Sequence, residues 1–287
     1  MLKVALENDI DKYFDAAFSL AENPETASFP IYFDGIKTKE DFRRALYNCV
    51  SDDRAEVLLF SDEKEVKGII AYYVIDRSQY LSFDAFLAWK DLPLAINEFV
   101  DYAKRKYRGY SVDFGFPKEN KKAVFALKNL GFETSEESAV FVGDIGYKTV
   151  REDLSVHEIT AESFADFKTL HDEKTDTYWT SDRLFDEISK SPATKWRVYA
   201  RYAEDRAVAA TYCITYGKFA EIFGFDFERN TFDKESFLAL FSASKMRMKE
   251  DGAEKVLYFS EKEEESELLR KLIMRKICDY VLLSGVL

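Results

Sequence analysis

The apolar positions of the chain switch between two periods, and the switches mark out its elements. Ile10, Tyr13, Phe14, Ala17 and Phe18 recur three and four residues apart, which predicts an amphipathic helix. A proline-containing loop follows over residues 23–37. Thr38 with Asp41 three positions on is a capping signal, and Phe42, Ala45, Leu46, Cys49 and Val50 predict a second helix behind it. The pattern then turns to strands over residues 56–61, 66–75 and 79–88, with a polar turn at 62–65. Pro93 suits the first turn of a helix whose buried face is Ile96, Phe99, Val100, Ala103 and Tyr107. Residues 110–116 read as the next strand. After Asn120, a natural N-cap, Ala123, Ala126, Leu127 and Leu130 share one helical face; Gly131 stands at the C-terminal cap and Phe132 can fold back on the last turn. A strand over 139–144 closes this half.

The second half repeats the order. A strand at 156–159 precedes a helix carrying Phe164, Phe167 and His171, and Ser181 is placed to cap a short helix with Leu184, Phe185 and Ile188. Residues 197–202 and 207–216 predict a hairpin, and 219–227 the next strand, where Gly224 marks a bulge. Phe237, Leu240, Phe241 and Met248 lie on the following helix; strand 255–260, helix 266–277 and strand 280–283 complete the chain. Val57 and Val198 are 141 residues apart, Val112 and Val256 144 apart, so one unit occurs twice. Hairpin strands followed by a strand–helix–strand crossover predict an α/β (α+β) fold, with two domains, 1–147 and 148–287, each a mixed, mostly antiparallel sheet flanked by helices. Residues 143–153 are the expected linker.

Composition narrows the partners. With 47% hydrophobic and 33% charged residues the 287-residue chain is globular, and 25 Phe with 17 Tyr predict aromatic cores. A net charge of −12 argues against nucleic acid and is compatible with a cationic amine drawn in by the field. No apolar run reaches the roughly 18 residues that span a bilayer. The N-terminus has no secretion-signal core, and Cys49, Cys213 and Cys278 form no CxxC, so a cytoplasmic protein with reduced core thiols is expected. Two histidines, His157 and His171, cannot build a His-rich metal site, and no metal is expected.

The spacing Asn120-x-x-Ala123-x-x-x-x-x-x-Leu130-Gly131-Phe132 after a strand resembles the last helix of the GCN5-related N-acetyltransferases, the GNAT family, and the element order of that fold fits the chain twice over. The resemblance implies acetyl transfer from acetyl-coenzyme A to a small-molecule or peptide amine, with the coenzyme in a V-shaped opening between two splayed parallel strands. Those would be 79–88 and 110–116 in the first copy, 219–227 and 255–260 in the second. It also implies a glycine-rich loop whose free N–H groups hold the pyrophosphate. Here the loop that follows Ala88 is Trp89-Lys90-Asp91-Leu92-Pro93, and the one that follows Phe227 is Glu228-Arg229-Asn230-Thr231-Phe232-Asp233, both without glycine. Carried over by position, the coenzyme contacts fall on Ala88, Lys90 and Asn120 and on Phe227, Arg229 and Asn230.

The reaction needs a base for the ammonium, a donor for the carbonyl oxygen and an acid for the leaving thiolate. The carboxylates on the third strand of each copy are the candidate bases, Asp84 in the first and Glu221 or Asp226 in the second; Asp84 and Asp226 stand among aromatics. Strand alternation puts Asp84 on one face with Ser82 and Phe86, and Phe83 with Ala85 on the other. The family's acid tyrosine falls on Leu127 and Met274, which donate no proton, and the acidic run 261–265 would repel a phosphate. An inactive GNAT-like pair that binds or scaffolds is therefore the alternative to a transferase. An aminoacyl-tRNA donor is a third reading, opposed by the charge.

Overall fold

The structure is a computed structural model and describes residues 1–146, 153–173, 179–190 and 194–287. Most of the expected linker, residues 147–152, lies outside the described residues. The chain forms two compact units. The first comprises Met1–Val140, Glu261–Ser266 and Lys276–Leu287; the second comprises Phe141–Ser260 and Glu267–Arg275.

The first unit begins with β1 (Leu2–Val4), α1 (Glu7–Ala21) and α2 (Lys39–Ser51), continues through β2 (Ala55–Ser61), β3 (Val66–Ile75), β4 (Tyr80–Ala88), α3 (Leu92–Lys106), β5 (Ser111–Pro117) and α4 (Lys121–Asn129), and runs into β6 (Glu133–Asp144). Helix starts follow the caps. The Thr38 hydroxyl accepts from the Asp41 N–H while the Asp41 carboxylate accepts from the Thr38 N–H, a capping box for α2. Asn120 accepts from the Ala123 N–H to start α4, and Gly131 at φ 88° lets the chain turn so that the Phe132 N–H reaches the Leu127 carbonyl. One sheet face packs on α1 and α2 through Phe14, Phe18, Phe42, Leu46 and Ala71. The other packs on α3 and α4 through Phe86, Phe99, Val100, Phe114 and Leu127.

The second unit contains β7 (Val156–Ile159), α5 (Phe164–His171), α6 (Ser181–Ser189), β8 (Trp196–Ala203), β9 (Arg206–Tyr216), β10 (Phe219–Phe227), α7 (Lys234–Glu250) and β11 (Lys255–Ser260), followed in the chain by α8 (Glu263–Lys271) and β12 (Arg275–Val286). Thr180, not Ser181, caps α6: its hydroxyl accepts from the Arg183 N–H, and Ser181 begins the helix with its own hydroxyl donating to Asp172. Phe167, Leu184, Trp196 and Val198 build the core under α5 and α6, and Phe225 packs on Phe237 of α7.

Strand order is β1-β2-β3-β4-β5-β12-β6 in the first unit and β6-β11-β10-β9-β8-β7 in the second, with β6 changing units after Val140. All the pairings described are antiparallel except β4 with β5 and β10 with β11. The repeat holds at the level of register. Val57 faces Ala71, which faces Ala85; Val198 faces Tyr212, which faces Gly224. Leu81 lies beside Val112, and Ala220 beside Val256. Each copy also carries the same irregularity: the β3–β4 register slips past Asp84, between the pairs Ala71–Ala85 and Tyr72–Phe83, and the β9–β10 register slips past Phe223. These are one-residue β-bulges. The glycine expected to mark the second bulge, Gly224, sits next to the extra residue.

β5 is covered on its free edge by the C-terminal strand, antiparallel from Tyr280↔Pro117 to Val286↔Ser111. Residues 1–147 expressed alone would leave β5 with unpaired N–H and C=O groups along that edge. They are expected to aggregate or unfold without cooperativity, and fusion of residues 276–287 to their C-terminus to restore a cooperative melt by circular dichroism. A cooperative, monomeric 1–147 fragment would contradict this.

Candidate functional site

In both units the parallel strands separate at the bulge. β4 pairs with β5 only at Tyr80↔Ser111 and Leu81↔Val112, and β10 with β11 only from Phe219↔Lys255 to Ile222↔Tyr258. Beyond Asp84 and Phe223 the strands diverge, because the unpaired residue turns β4 and β10 away from their parallel neighbours. Each unit thus has a V with a helix, α3 or α7, opening just past its upper arm.

The bulge also changes which side chains share a face. Phe83 and Phe86 both point to the α3 side, 5.7 Å apart at the ring centroids, and Phe83 stacks on Phe114 of β5 at 4.8 Å. Asp84 instead faces α2 with Ala85, where the Cys49 thiol donates to its Oδ2 at 3.4 Å. The strict alternation that put Asp84 on a face with Phe86 fails because the bulge inserts one residue between them. Burial pushes the Asp84 carboxyl above its ordinary 3.8, and the Cys49 hydrogen bond offsets part of that. The same burial, with Asp84 nearby, raises the Cys49 thiol and the Tyr32 hydroxyl.

The first V is filled by the chain itself. The Phe86 N–H donates to Ser28 Oγ at 2.8 Å, the Phe29 N–H donates to the Gly115 carbonyl at 2.9 Å, and Asn120 Nδ2 donates to the Ala27 carbonyl at 3.1 Å. Residues 27–29 therefore bridge β4 to β5 from within the loop that joins α1 to α2. Asn120 is fully buried; one end of its amide caps α4 and the other holds this segment. Ala88 ends β4 opposite Gly68. Lys90 lies on the surface, paired with Glu65 at 2.5 Å, and Asp91 pairs with Lys67 at 2.8 Å. Where the family pattern has glycine, Asp91 takes the left-handed backbone itself, at φ 54°.

The second V is built differently. Asp226 and His171 are each 1% exposed, with Nδ1 of the imidazole 2.7 Å from Oδ2 and Nε2 2.6 Å from the Trp179 carbonyl. A carbonyl oxygen only accepts, so Nε2 carries hydrogen; the second hydrogen lies between Nδ1 and Oδ2. His171 stacks on Phe167 and meets Tyr212 edge-on, so the pair is walled by aromatic rings. By register Asp226 occupies the position of Leu87, and Phe223 that of Asp84, so the two candidate bases are not equivalent residues. Phe223 packs on Trp179 and Trp196. Phe225 bridges the V to Tyr258 of β11, and Phe227 is buried against Phe232. Arg229 and Asn230 are exposed, at φ 55° and 53°, and supply the turn that glycine would. The Arg229 N–H donates to Glu173 Oε2 at 3.1 Å. The α7 N-terminus is capped by the Asp233 carboxylate, which accepts from Glu235 and Ser236.

Sequence comparison matches no protein-family model and no curated protein. The fold is matched in solved structures. A GCN5-related N-acetyltransferase from Sphaerobacter thermophilus aligns over 100% of this chain and 95% of its own at TM-score 0.68 and 11% identity. A tandem GNAT protein from the clavulanic acid biosynthesis pathway aligns over 100% and 98% at TM-score 0.58 and 10% identity. A GCN5-related N-acetyltransferase from Kribbella flavida covers 84% of this chain and 93% of its own at TM-score 0.58 and 11% identity. The chain has the GNAT fold, twice in tandem. Among the described residues no three His, Cys, Asp or Glu gather to hold a metal ion, and no helix is long and apolar enough to cross a membrane.

The raised Asp84 carboxyl has a stability signature. The folded chain holds that proton more tightly than the unfolded one, so the residue costs stability as pH rises above 3.8. Asp84→Asn keeps an oxygen for Cys49. It is expected to raise the urea midpoint at pH 7, with the gain shrinking towards zero as pH falls below 3.8. A variant less stable than the parent at pH 7 would rule this out.

Proposed function

We propose that the protein is an N-acetyltransferase, passing an acetyl group from acetyl-coenzyme A to an amine, and that its working cleft is the second one. The observation that carries this is the pair of splayed parallel strands, β10 and β11, ending at the loop that opens α7. It lies in a fold that aligns over the full chain with a solved GCN5-related N-acetyltransferase. In this reading acetyl-coenzyme A supplies an activated thioester: a C–N bond to the neutral amine forms, the C–S bond breaks, and the proton that the amine nitrogen gives up goes to the leaving thiolate. The exposed Arg229 and Asn230, rather than a glycine loop, would meet the phosphates, and the backbone at Phe227 would flank them. A net charge of −12 favours a cationic amine over an anionic acceptor.

Asp226 enters as a positioning residue. Held by His171 at 2.7 Å, it fixes the imidazole and, through Nε2, the Trp179 backbone. Asp84 has the raised pKa of a base but stands in the unit whose V is filled, which leaves it without an acyl donor. We do not assign Ala88, Lys90 or Asn120 a coenzyme contact: Lys90 is engaged by Glu65, and Asn120 by Ala27.

The second reading is an inactive pair that binds or scaffolds. The Asp233 cap favours it, because it takes two of the N–H groups at the α7 start that a pyrophosphate would use. The two readings separate in a coenzyme A release assay with acetyl-coenzyme A and a panel of polyamines, amino sugars and lysine peptides. The transferase reading expects amine-dependent thiol release, a KM for acetyl-coenzyme A raised about tenfold by Arg229→Ala, the loss of one charge-assisted contact, and no change on Lys90→Ala. No release with any amine, together with no coenzyme binding at millimolar concentration, would leave the inactive pair.

A further inference from the structure

We infer that residues 27–29 stand, in the first unit, where the arm of an acyl-coenzyme A would lie, so that the chain takes the cofactor at no more than one cleft. This rests on the first unit having the fold's V, and not on acetyl transfer by the second.

Where β4 and β5 part, each leaves main-chain groups without a strand partner, and buried groups of this kind must find another. The Phe86 N–H finds Ser28 Oγ and the Gly115 carbonyl finds the Phe29 N–H. Asn120, on the far wall, gives its remaining donor to the Ala27 carbonyl. The slot therefore offers two donors and one acceptor, a pattern matched by an extended, amide-bearing chain. In this protein that chain is its own.

The occupant is built in. Ala27 and Ser28 are 0% and 3% exposed. Phe29 packs edge-on against Tyr280 at 4.5 Å, and a side-chain carbon added at Gly115 would meet Tyr280 at 2.9 Å and Phe29 Cβ at 3.2 Å. The loop is fastened on both sides. Thr26 Oγ1 donates to the Leu20 carbonyl, the Tyr32 N–H donates to the Ala21 carbonyl, and the buried Asp34 carboxylate accepts from the Ile36 and Lys37 N–H groups. An entering cofactor would remake the same hydrogen bonds at no net gain and would have to expose a buried segment to do so.

Hydrogen exchange on the full chain, read by mass spectrometry with and without millimolar coenzyme A, tests this. Peptides spanning Tyr80–Ala88 and Ser111–Pro117 are expected to be protected in the free protein and unchanged by coenzyme A. Ser28→Ala is expected to speed exchange at the Phe86 amide about 5–10-fold, the equivalent of one hydrogen bond. Protection by coenzyme A confined to β10, β11 and the loop between β10 and α7 supports the inference and the transferase reading together. Protection by coenzyme A nowhere, with Phe86 still slow, supports the inference and counts against the transferase reading. New protection in β4 or β5, or fast exchange at Phe86 in the free parent protein, overturns the inference.

Discussion

Two parallel strands that share hydrogen bonds at one end and not at the other must settle the polar groups of the end that opens, and much of this protein follows from how each unit does so. The opening is imposed by a single unpaired residue, Asp84 in β4 and Phe223 in β10, at matching places in the two registers. In the first unit the freed groups are answered by the main chain and hydroxyl of residues 27–29. The loop before α2 is thereby buried, Asn120 is drawn into a second hydrogen bond, and Gly115 has no room for a side chain.

The same scaffold gives its two candidate acids different surroundings because they sit at different register positions. Asp84 is the bulged residue, turned towards α2 and held by a thiol. Asp226 lies three residues past its own bulge, where the first unit has Leu87, and is bound to an imidazole in an aromatic box. Breaking a buried carboxylate–imidazole pair from one side costs about 3–5 kcal/mol, so the Asp226–His171 contact ties α5 to β10 before it does anything else.

Much of the scaffold could be read in the chain. Helix periodicity, the Thr38 and Asn120 caps and the repeat spacing of Val57 with Val198 are local signals, and local signals survive without an alignment. Gly224 announced its bulge because glycine is costly inside a strand. Nothing announced the bulge at Asp84, where no glycine or proline stands, so strand alternation misassigned the face of Phe86. The Ser28 contact was equally hidden: residues 23–37 look like any proline-containing loop, and the partners of Ser28 lie 58 residues away at Phe86. The His171–Asp226 pair spans 55 residues and was missed for the same reason. The absent glycines set these two loops apart from the family pattern, yet Asp91, Arg229 and Asn230 reach the left-handed backbone without them.

The first unit is closed by its own chain, and the acyl donor is proposed for the second. Photo-crosslinking with a coenzyme A analogue carrying a reactive group on its acyl end, followed by peptide mapping of the intact protein, addresses this division most directly. Label is expected in β10, in β11 and around Arg229, and none in the first unit. Label in β4, β5 or residues 27–29 would contradict it, as would a protein that takes no label at all.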